Sequence, residues 1–271
     1  MHTEVFQPRD DLSAFIRSYW ILESKKETTP QINTIVPDGT MKLIFHYKDL
    51  YWHHPPSDAK FLQPRSFLIG QLTRPYLVEP SGDTGTFIVR FEPYGFLPFA
   101  TIPLKEIENT PISLEVLFGE EGKRLEMNIL QSETTHERIQ AVEVFLLQQL
   151  QQPEVIDRIV EETVATISKA NGHLRVKQIV ADQELNGRVL SRKFRKTVGL
   201  SPKQLSKIIR IQTTLKKLLT TETEKMTDVA YQNKYFDQAH FIKEFKEFTG
   251  LTPKAFFGDH LKMSLIFEGS N

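Results

Sequence analysis

The stretch LSRKFRKTVGLSPK, Leu190 to Lys203, returns 51 residues later as FIKEFKEFTGLTPK, Phe241 to Lys254. In each copy a basic, amphipathic segment runs into a glycine, Gly199 or Gly250, the residue type that closes a helix in the left-handed conformation. A hydroxyl-proline pair follows, Ser201-Pro202 or Thr252-Pro253, which suits the N-cap and first position of a new helix. Each of these choices has its own stereochemical reason. Their joint recurrence predicts two copies of one helix, turn and helix-start device.

Charge says what such a device could meet. The 34 basic and 34 acidic residues cancel overall, but from Ser168 to Phe257 there are 18 Lys and Arg against 8 Asp and Glu, leaving 16 basic and 26 acidic residues elsewhere. A basic third joined to an acidic two-thirds suits a polyanion at one end only. With 271 residues the chain is long enough for two domains at roughly 150 residues each. It has no cysteine, which excludes disulfides, thiolate metal ligands and cysteine nucleophiles and fits a reducing cytosol. The N-terminal MHTEVFQPRDDLSAF lacks the pattern of a secretory signal, and no run approaches the roughly 18 apolar residues of a membrane helix. A cytoplasmic protein without membrane association is expected.

From Asn33 to Phe91 short apolar runs, INTIV, MKLIFHY, SFLIG and TFIVRF, alternate with turn formers such as Pro37-Asp38-Gly39 and Pro80-Ser81-Gly82-Asp83. This predicts a β-sandwich or small barrel. Beyond Pro93-Tyr94-Gly95 the pattern becomes helical, interrupted by Pro98, Pro103 and Pro111, so short helices are expected there. Ile139, Val142, Leu146 and Leu150 mark an amphipathic helix, and Ile156, Ile159, Val160, Thr163, Val164 and Ile167 mark another that Asn171-Gly172 stops. Such helices pack on their own domain or form a subunit interface. The fold class expected is α+β in two domains: a regulatory or dimerisation domain over residues 1–150, a linking helix over 151–170, and an all-α domain over 171–271.

In the first unit Val176 to Gln183 forms a helix, Glu184-Leu185-Asn186 the turn, and Arg188 to Val198 a second helix whose Val189, Leu190 and Phe194 face inward. That leaves Arg188, Ser191 and Arg192 outside as base readers, because an Arg fork matches guanine O6 and N7 and Ser can bond several base edges. In the second unit Thr227 caps the first helix and Asp237 the second, from which Gln238, Ala239 and Lys243 project while Phe241, Phe245 and Phe248 pack inward. Glu244 and Glu247 stand where the first copy has Lys193 and Lys196. Weaker or more positional contact is therefore expected from the second helix.

With these residues in place, the chain resembles the AraC/XylS-type transcription regulators over about Ile167 to Phe257. The resemblance is carried by LSRKFRKTVGLSP, by IIRIQTTLKKLL, by DVAYQ and by YFDQAHFIKEFKEFTGLTP. It departs from the family at Lys234, where glycine is common, and at Ile211 and Thr214, where small residues are frequent. The resemblance implies two helix-turn-helix units joined by a long helix, entering successive major grooves of double-stranded DNA about 34 Å apart. Backbone contacts would then come from Lys177, Arg195, Lys196, Ser201, Lys203, Asp237, Lys246, Thr252 and Lys254, helped by open N–H groups at helix starts.

The runs IVPDGTMKLIFHY, FLIGQLTRPY and FIVRFEPYGFLPFATIPLKEI resemble an N-terminal domain fused to some of these regulators, a cupin-like β-barrel or related β fold. In that family the partner domain senses a small molecule, dimerises, or both. Lys42, His46, Arg74, Arg90 and Tyr94 lie on or beside apolar strands and are the candidate effector-pocket groups, with outward-facing strand residues as the plainer alternative. His46, His53 and His54 lack a spacing that would place two ligands on one face, so no metal and no cofactor is expected. Three readings compete. The first is a sequence-specific regulator controlled by an effector or by dimerisation. The second is a ligand-independent DNA-binding protein with an interaction module. The third, a cupin enzyme tethered to DNA, lacks an assembled cluster of His and carboxylate ligands, and no enzyme is expected.

Overall fold

A computed structural model describes residues 2–29, 31–150, 155–173, 186–220 and 238–259. Ten strands form two antiparallel sheets rather than a closed barrel. The larger has the order β1-β2-β9-β4-β7-β10, with β1 at His2–Phe6, β2 at Ile16–Ser24, β4 at Lys42–His46, β7 at Ser66–Ile69, β9 at Thr84–Phe91 and β10 at Pro111–Ser113. The smaller has the order β3-β8-β5-β6, from Asn33–Ile35, Tyr76–Pro80, Tyr51–His53 and Phe61–Leu62.

Strand β9 explains the layering. Its eight residues, TGTFIVRF, are all buried, so alternate side chains must enter two different cores. Phe87, Val89 and Phe91 join Tyr19, Ile21, Leu43, Phe45 and Leu68 beneath two helices, α1 at Leu114–Gln131 and α2 at Thr135–Gln149. Leu117, Leu125 and Ile129 from α1 and Val142, Phe145 and Leu146 from α2 complete that core. On the opposite face Ile88 packs with Trp20 and Leu22, while Phe67 and Ile69 meet Tyr76 and Val78 of the smaller sheet. The domain is thus three layers: small sheet, large sheet, helices. Helix α2 begins in a capping box, in which Glu137 N–H donates to the Thr134 hydroxyl and Thr134 N–H donates to the Glu137 carboxylate.

The proline-broken segment is not a set of short α-helices. Leu97–Phe99 and Leu104–Ile107 are single 3-10 turns, and Pro111–Ser113 is an edge strand leading into α1. Each proline removes a donor and fixes φ, which leaves room for one turn between them.

Helix α3, Arg158–Lys169, sends Val160, Val164 and Ile167 into a separate core with the C-terminal helices. These are α4 at Gly187–Val198, α5 at Pro202–Thr220, α6 at Gln238–Thr249 and α7 at Pro253–Asp259. Leu190, Phe194 and Val198 of α4, Leu205, Ile208, Ile211 and Leu215 of α5, and Phe241, Phe245 and Phe248 of α6 fill this second core. Ile211 and Thr214, the two departures in the connecting helix, are both fully buried. Among the described residues no helix is long and apolar enough to cross a membrane.

Two-sided burial makes the central strand sensitive. Phe87→Ala is expected to cost about 3 to 5 kcal/mol of unfolding free energy, against less than about 0.5 kcal/mol for Val116→Ala on the exposed face of α1, as measured by urea denaturation.

Candidate nucleic-acid interface and ligand cavity

Helix α4 is defined at both ends by the residues the repeat displays. The Asn186 side chain accepts from Arg188 N–H at 2.9 Å, and Gly199 closes the helix at φ 83° with its N–H donated to Arg195 O. With Leu190 and Phe194 turned inward, Arg188, Arg192, Arg195 and Lys196 are exposed and Ser191 is half-buried. Arg188, Arg192 and Arg195 stand four and three residues apart, which places them along one helix face. Lys193, off that face, pairs with Asp157 at 2.6 Å and ties α4 to the start of α3.

The second reading helix, α6, is anchored by rings: Phe241 meets Phe245 at 5.6 Å, and Phe245 meets Phe256 of α7 at 5.3 Å. Gln238, Ala239, Lys243 and Lys246 are exposed. The two acids behind the expectation of weaker or more positional contact both have cationic partners. Glu244 is buried, only 2% exposed, and takes hydrogen bonds from Arg210 Nε at 2.9 Å and from an Arg210 terminal nitrogen at 2.6 Å. Glu247 pairs with Lys207 at 3.0 Å. Both cations come from α5, so the acids fasten α6 to the connecting helix.

The helix starts have caps of their own. Ser201 and Gln204 form a reciprocal pair, with Gln204 N–H donated to the Ser201 hydroxyl at 3.2 Å and Ser201 N–H donated to Gln204 Oε1 at 2.9 Å. A phosphate reaching that N–H would have to displace Gln204. Thr252 caps α7, accepting from Ala255 N–H at 3.4 Å, and Lys203 and Lys254 are exposed beside the two starts. Lys177 and Asp237 lie outside the described residues, as do Thr227 and the first helix of each predicted unit.

In the β domain an apolar cavity of about 70 Å³ lies between the sheets and opens toward solvent. Its walls include Leu22, Ile44, Phe67 and Ile88 from the large sheet and Ile35, Tyr76 and Val78 from the small sheet and its flank. One polar chain crosses it. Gln63 Oε1 faces His46 Nε2 at 3.0 Å, which makes Nε2 the protonated nitrogen, and His46 Nδ1 then accepts from the Thr86 hydroxyl at 3.1 Å. The Gln63 amide nitrogen donates to the Tyr76 hydroxyl at 3.1 Å. Burial pushes the His46 imidazole down to about 4, so it is neutral near pH 7.

The five candidate effector residues are divided by this geometry. Lys42 and His46 line the cavity. Arg90 follows the same face of β9 but sits near its end, where it stacks on the Trp20 ring at 4.2 Å and lines a cleft between the domains. Tyr94 packs against the helical core, its hydroxyl 3.5 Å from Glu161, and Arg74 is exposed on the loop before β8. Strand alternation can assign a face but not how far the covering sheet extends, and that extent separates Arg90 from the other two. Asp38, Gln63, Tyr76 and Thr86 were not among the candidates. Asp38 reads as the middle of a Pro-Asp-Gly turn, and neutral Gln, Tyr and Thr carry no pattern that marks them.

The three histidines diverge. His46 is inside, His53 stacks on Tyr76 at 3.9 Å between ring centroids, and His54 pairs with Glu79 at 2.7 Å. Among the described residues no group of three or more His, Asp or Glu side chains could hold a metal ion.

Residues 4–113 match the family described as a domain of unknown function (DUF6597), and residues 180–259 match the helix-turn-helix domain family. No curated protein matches the sequence. Among solved structures the chain is similar to ToxT from Vibrio cholerae, at 14% identity over 90% of this chain and 97% of that one, with a TM-score of 0.46. It is also similar to the C-terminal domain of AraT, a response regulator from Geobacillus stearothermophilus, at 22% identity over 44% of this chain and 95% of that one, with a TM-score of 0.36. A third is the AraC-like transcriptional activator CuxR, at 16% identity over 86% and 91% of the two chains, with a TM-score of 0.28.

Two measurements test this geometry. Arg210→Ala strands the buried Glu244 carboxylate and is expected to cost about 3 to 5 kcal/mol in urea unfolding, while adding Glu244→Met restores most of the loss. The second concerns pH. An unfolded histidine titrates near 6.5 and folded His46 near 4, so between these values the unfolded chain binds more protons. The stability linked to this residue is full above about pH 6.5 and declines toward pH 4 by about 3 kcal/mol, a slope that His46→Gln should flatten.

Proposed function

We propose, for a chain that belongs to the AraC-type DNA-binding transcription regulators, that α4 and α6 read two successive major grooves as one bipartite head. In this reading Arg188, Ser191 and Arg192 contact base edges in one groove, and Gln238, Ala239 and Lys243 contact them in the next. Arg195, Lys196, Lys203, Lys246 and Lys254 hold the phosphates, as do the helix start at Thr252 and, once Gln204 yields its place, the one at Ser201. The observation that carries this is the exposed cationic face of α4 beside an α6 whose acids are neutralised from α5. Lys177 and Asp237 complete the backbone set that the family resemblance implies.

The inter-sheet cavity supports an effector as the means of control. Its wall is mainly apolar, and its polar groups His46, Gln63, Tyr76 and Thr86 bond one another, so the ligand it suits is a small, largely apolar molecule. Lys42 and His46 are the cavity residues proposed to meet it. The apolar lining and the opening to solvent support effector control over the ligand-independent reading. Residues 1–150 would act as the sensing domain and 171–271 as the reading domain, with the helix of 151–170 between them, a regulator rather than an enzyme.

Selection of bound DNA from a random pool tests the head directly. Two sequence blocks one helical turn apart are expected, and a single short block would overturn the two-groove reading. On the selected site Arg192→Ala should lose about 1 to 3 kcal/mol and relax specificity at one position, while Lys203→Ala should weaken selected and scrambled DNA alike.

A further inference from the structure

The β domain touches the reading head at the features the repeat first displays. Gly199, which closes α4, packs against Met41, Gln71 and Leu104. Gly250, which closes α6, faces Pro75. Between these two contacts the turn of residues 36–40 seats the connecting helix. Gly39, at φ +76°, lies so near Leu205 that a Cβ there would come within 2.6 Å of its side chain, and Gln212 Nε2 donates to Pro37 O at 2.7 Å. Val36 enters the helical core itself.

One carboxylate organises this turn. Asp38 Oδ1 accepts from Thr40 N–H at 3.1 Å, from the Thr40 hydroxyl at 2.9 Å and from Lys42 Nζ at 2.7 Å, while Oδ2 accepts from Arg90 at 3.0 Å. Burial alone would push this carboxyl up, but Lys42 and Arg90 reverse the effect and hold it well below the usual carboxylate range. Lys42 belongs to the wall of the inter-sheet cavity, whereas Asp38, Arg90 and Gln212 line the cleft against α5. A single buried anion therefore joins the cavity wall to the seat of the connecting helix.

We infer that Asp38 is a positioning residue that ties occupancy of the inter-sheet cavity to the spacing at which α4 and α6 are held. A ligand that shifts the Lys42 stem pulls on the carboxylate, the carboxylate on the turn, and the turn on α5, which carries both reading helices. The inference rests on the effector and two-groove readings above.

The test uses the full-length chain and two readouts. Amide hydrogen exchange is followed over residues 36–41 and 202–212, and binding is measured to DNA bearing the two selected blocks at native spacing, with one base pair inserted between them, and with one block alone. Asp38→Asn is expected to raise exchange about 10-fold in both segments and to lower the preference for native spacing about 5-fold, with single-block affinity unchanged. Lys42→Met should raise exchange in the same two segments. A merely structural loss would weaken single-block and two-block binding together and leave the spacing preference intact, and that result overturns the inference. Should Asp38→Asn not fold, Gln212→Ala, which removes one bond from the helix side and leaves the ion cluster whole, should show the same relaxation in smaller degree. Faster exchange at 36–41 with none at 202–212 also overturns it. Wild-type protein that selects no two-block DNA would instead defeat the two-groove reading and with it the spacing part of the inference, while unchanged exchange at 202–212 in Asp38→Asn would still overturn the tie between turn and helix.

Discussion

A buried carboxylate on one helix and a guanidinium on another set the geometry on which the reading head depends. Glu244 can be buried on α6 because Arg210 of α5 reaches it with short, charge-assisted hydrogen bonds. Removing two charges from water is costly, so a pair of this kind contributes more to fixing one arrangement than to net stability. Phe241, Phe245 and Phe248 supply the apolar burial that holds α6 in place, with Phe241 and Phe245 in edge-to-face contacts. The directional pair adds a tie to α5 that burial alone does not specify. Together with Lys207–Glu247, it sets α6 against the same helix that packs α4.

A second constraint comes from the β domain. Its central strands are buried on both faces, which forces one face toward α1 and α2 and the other toward the smaller sheet. The helical side is filled by aromatic and aliphatic side chains. The side facing the small sheet is not, because Lys42, His46, Thr86 and Arg90 interrupt the apolar surface and the small sheet does not cover all of it. Both the cavity and the ion cluster at Asp38 arise from that incomplete cover. The domain is thus filled on one side of its main sheet and partly open on the other, and it meets the reading head through the turn of residues 36–40 and through Met41, Gln71, Pro75 and Leu104.

Much of the helical domain was legible because its signals are local. Asn186, Gly199, Ser201-Pro202, Gly250 and Thr252-Pro253 each act within one turn of chain, and all sit at helix ends in the structure. The strands at INTIV, MKLIFHY, SFLIG and TFIVRF were legible for the same reason. Strand β2, IRSYWILES, was not singled out: buried on both faces, it shows no clean alternation, and no turn former brackets it in the way Pro37-Asp38-Gly39 precedes β4. The proline-rich segment showed that its helices are short but not their kind, because helix period and single 3-10 turns look alike over four residues. The burial of Glu244 was not legible because a charged residue on a helix is ordinarily exposed, and its partner lies 34 positions away.

The sequence by itself determined the repeated helix-turn-helix-start device, the basic face of its first copy, the β-rich character of the first half and the absence of thiol chemistry. These depend on residue type and near-neighbour spacing, which the chain displays directly. Tertiary structure alone decided that the β half is two sheets with a cavity between them, that Glu244 is a fastening rather than a repulsive charge, and that Asp38 joins Lys42 to Arg90. Each of those depends on groups brought together from distant positions, where the cost of burying a charge or the reach of a covering sheet is set by neighbours that no local pattern names.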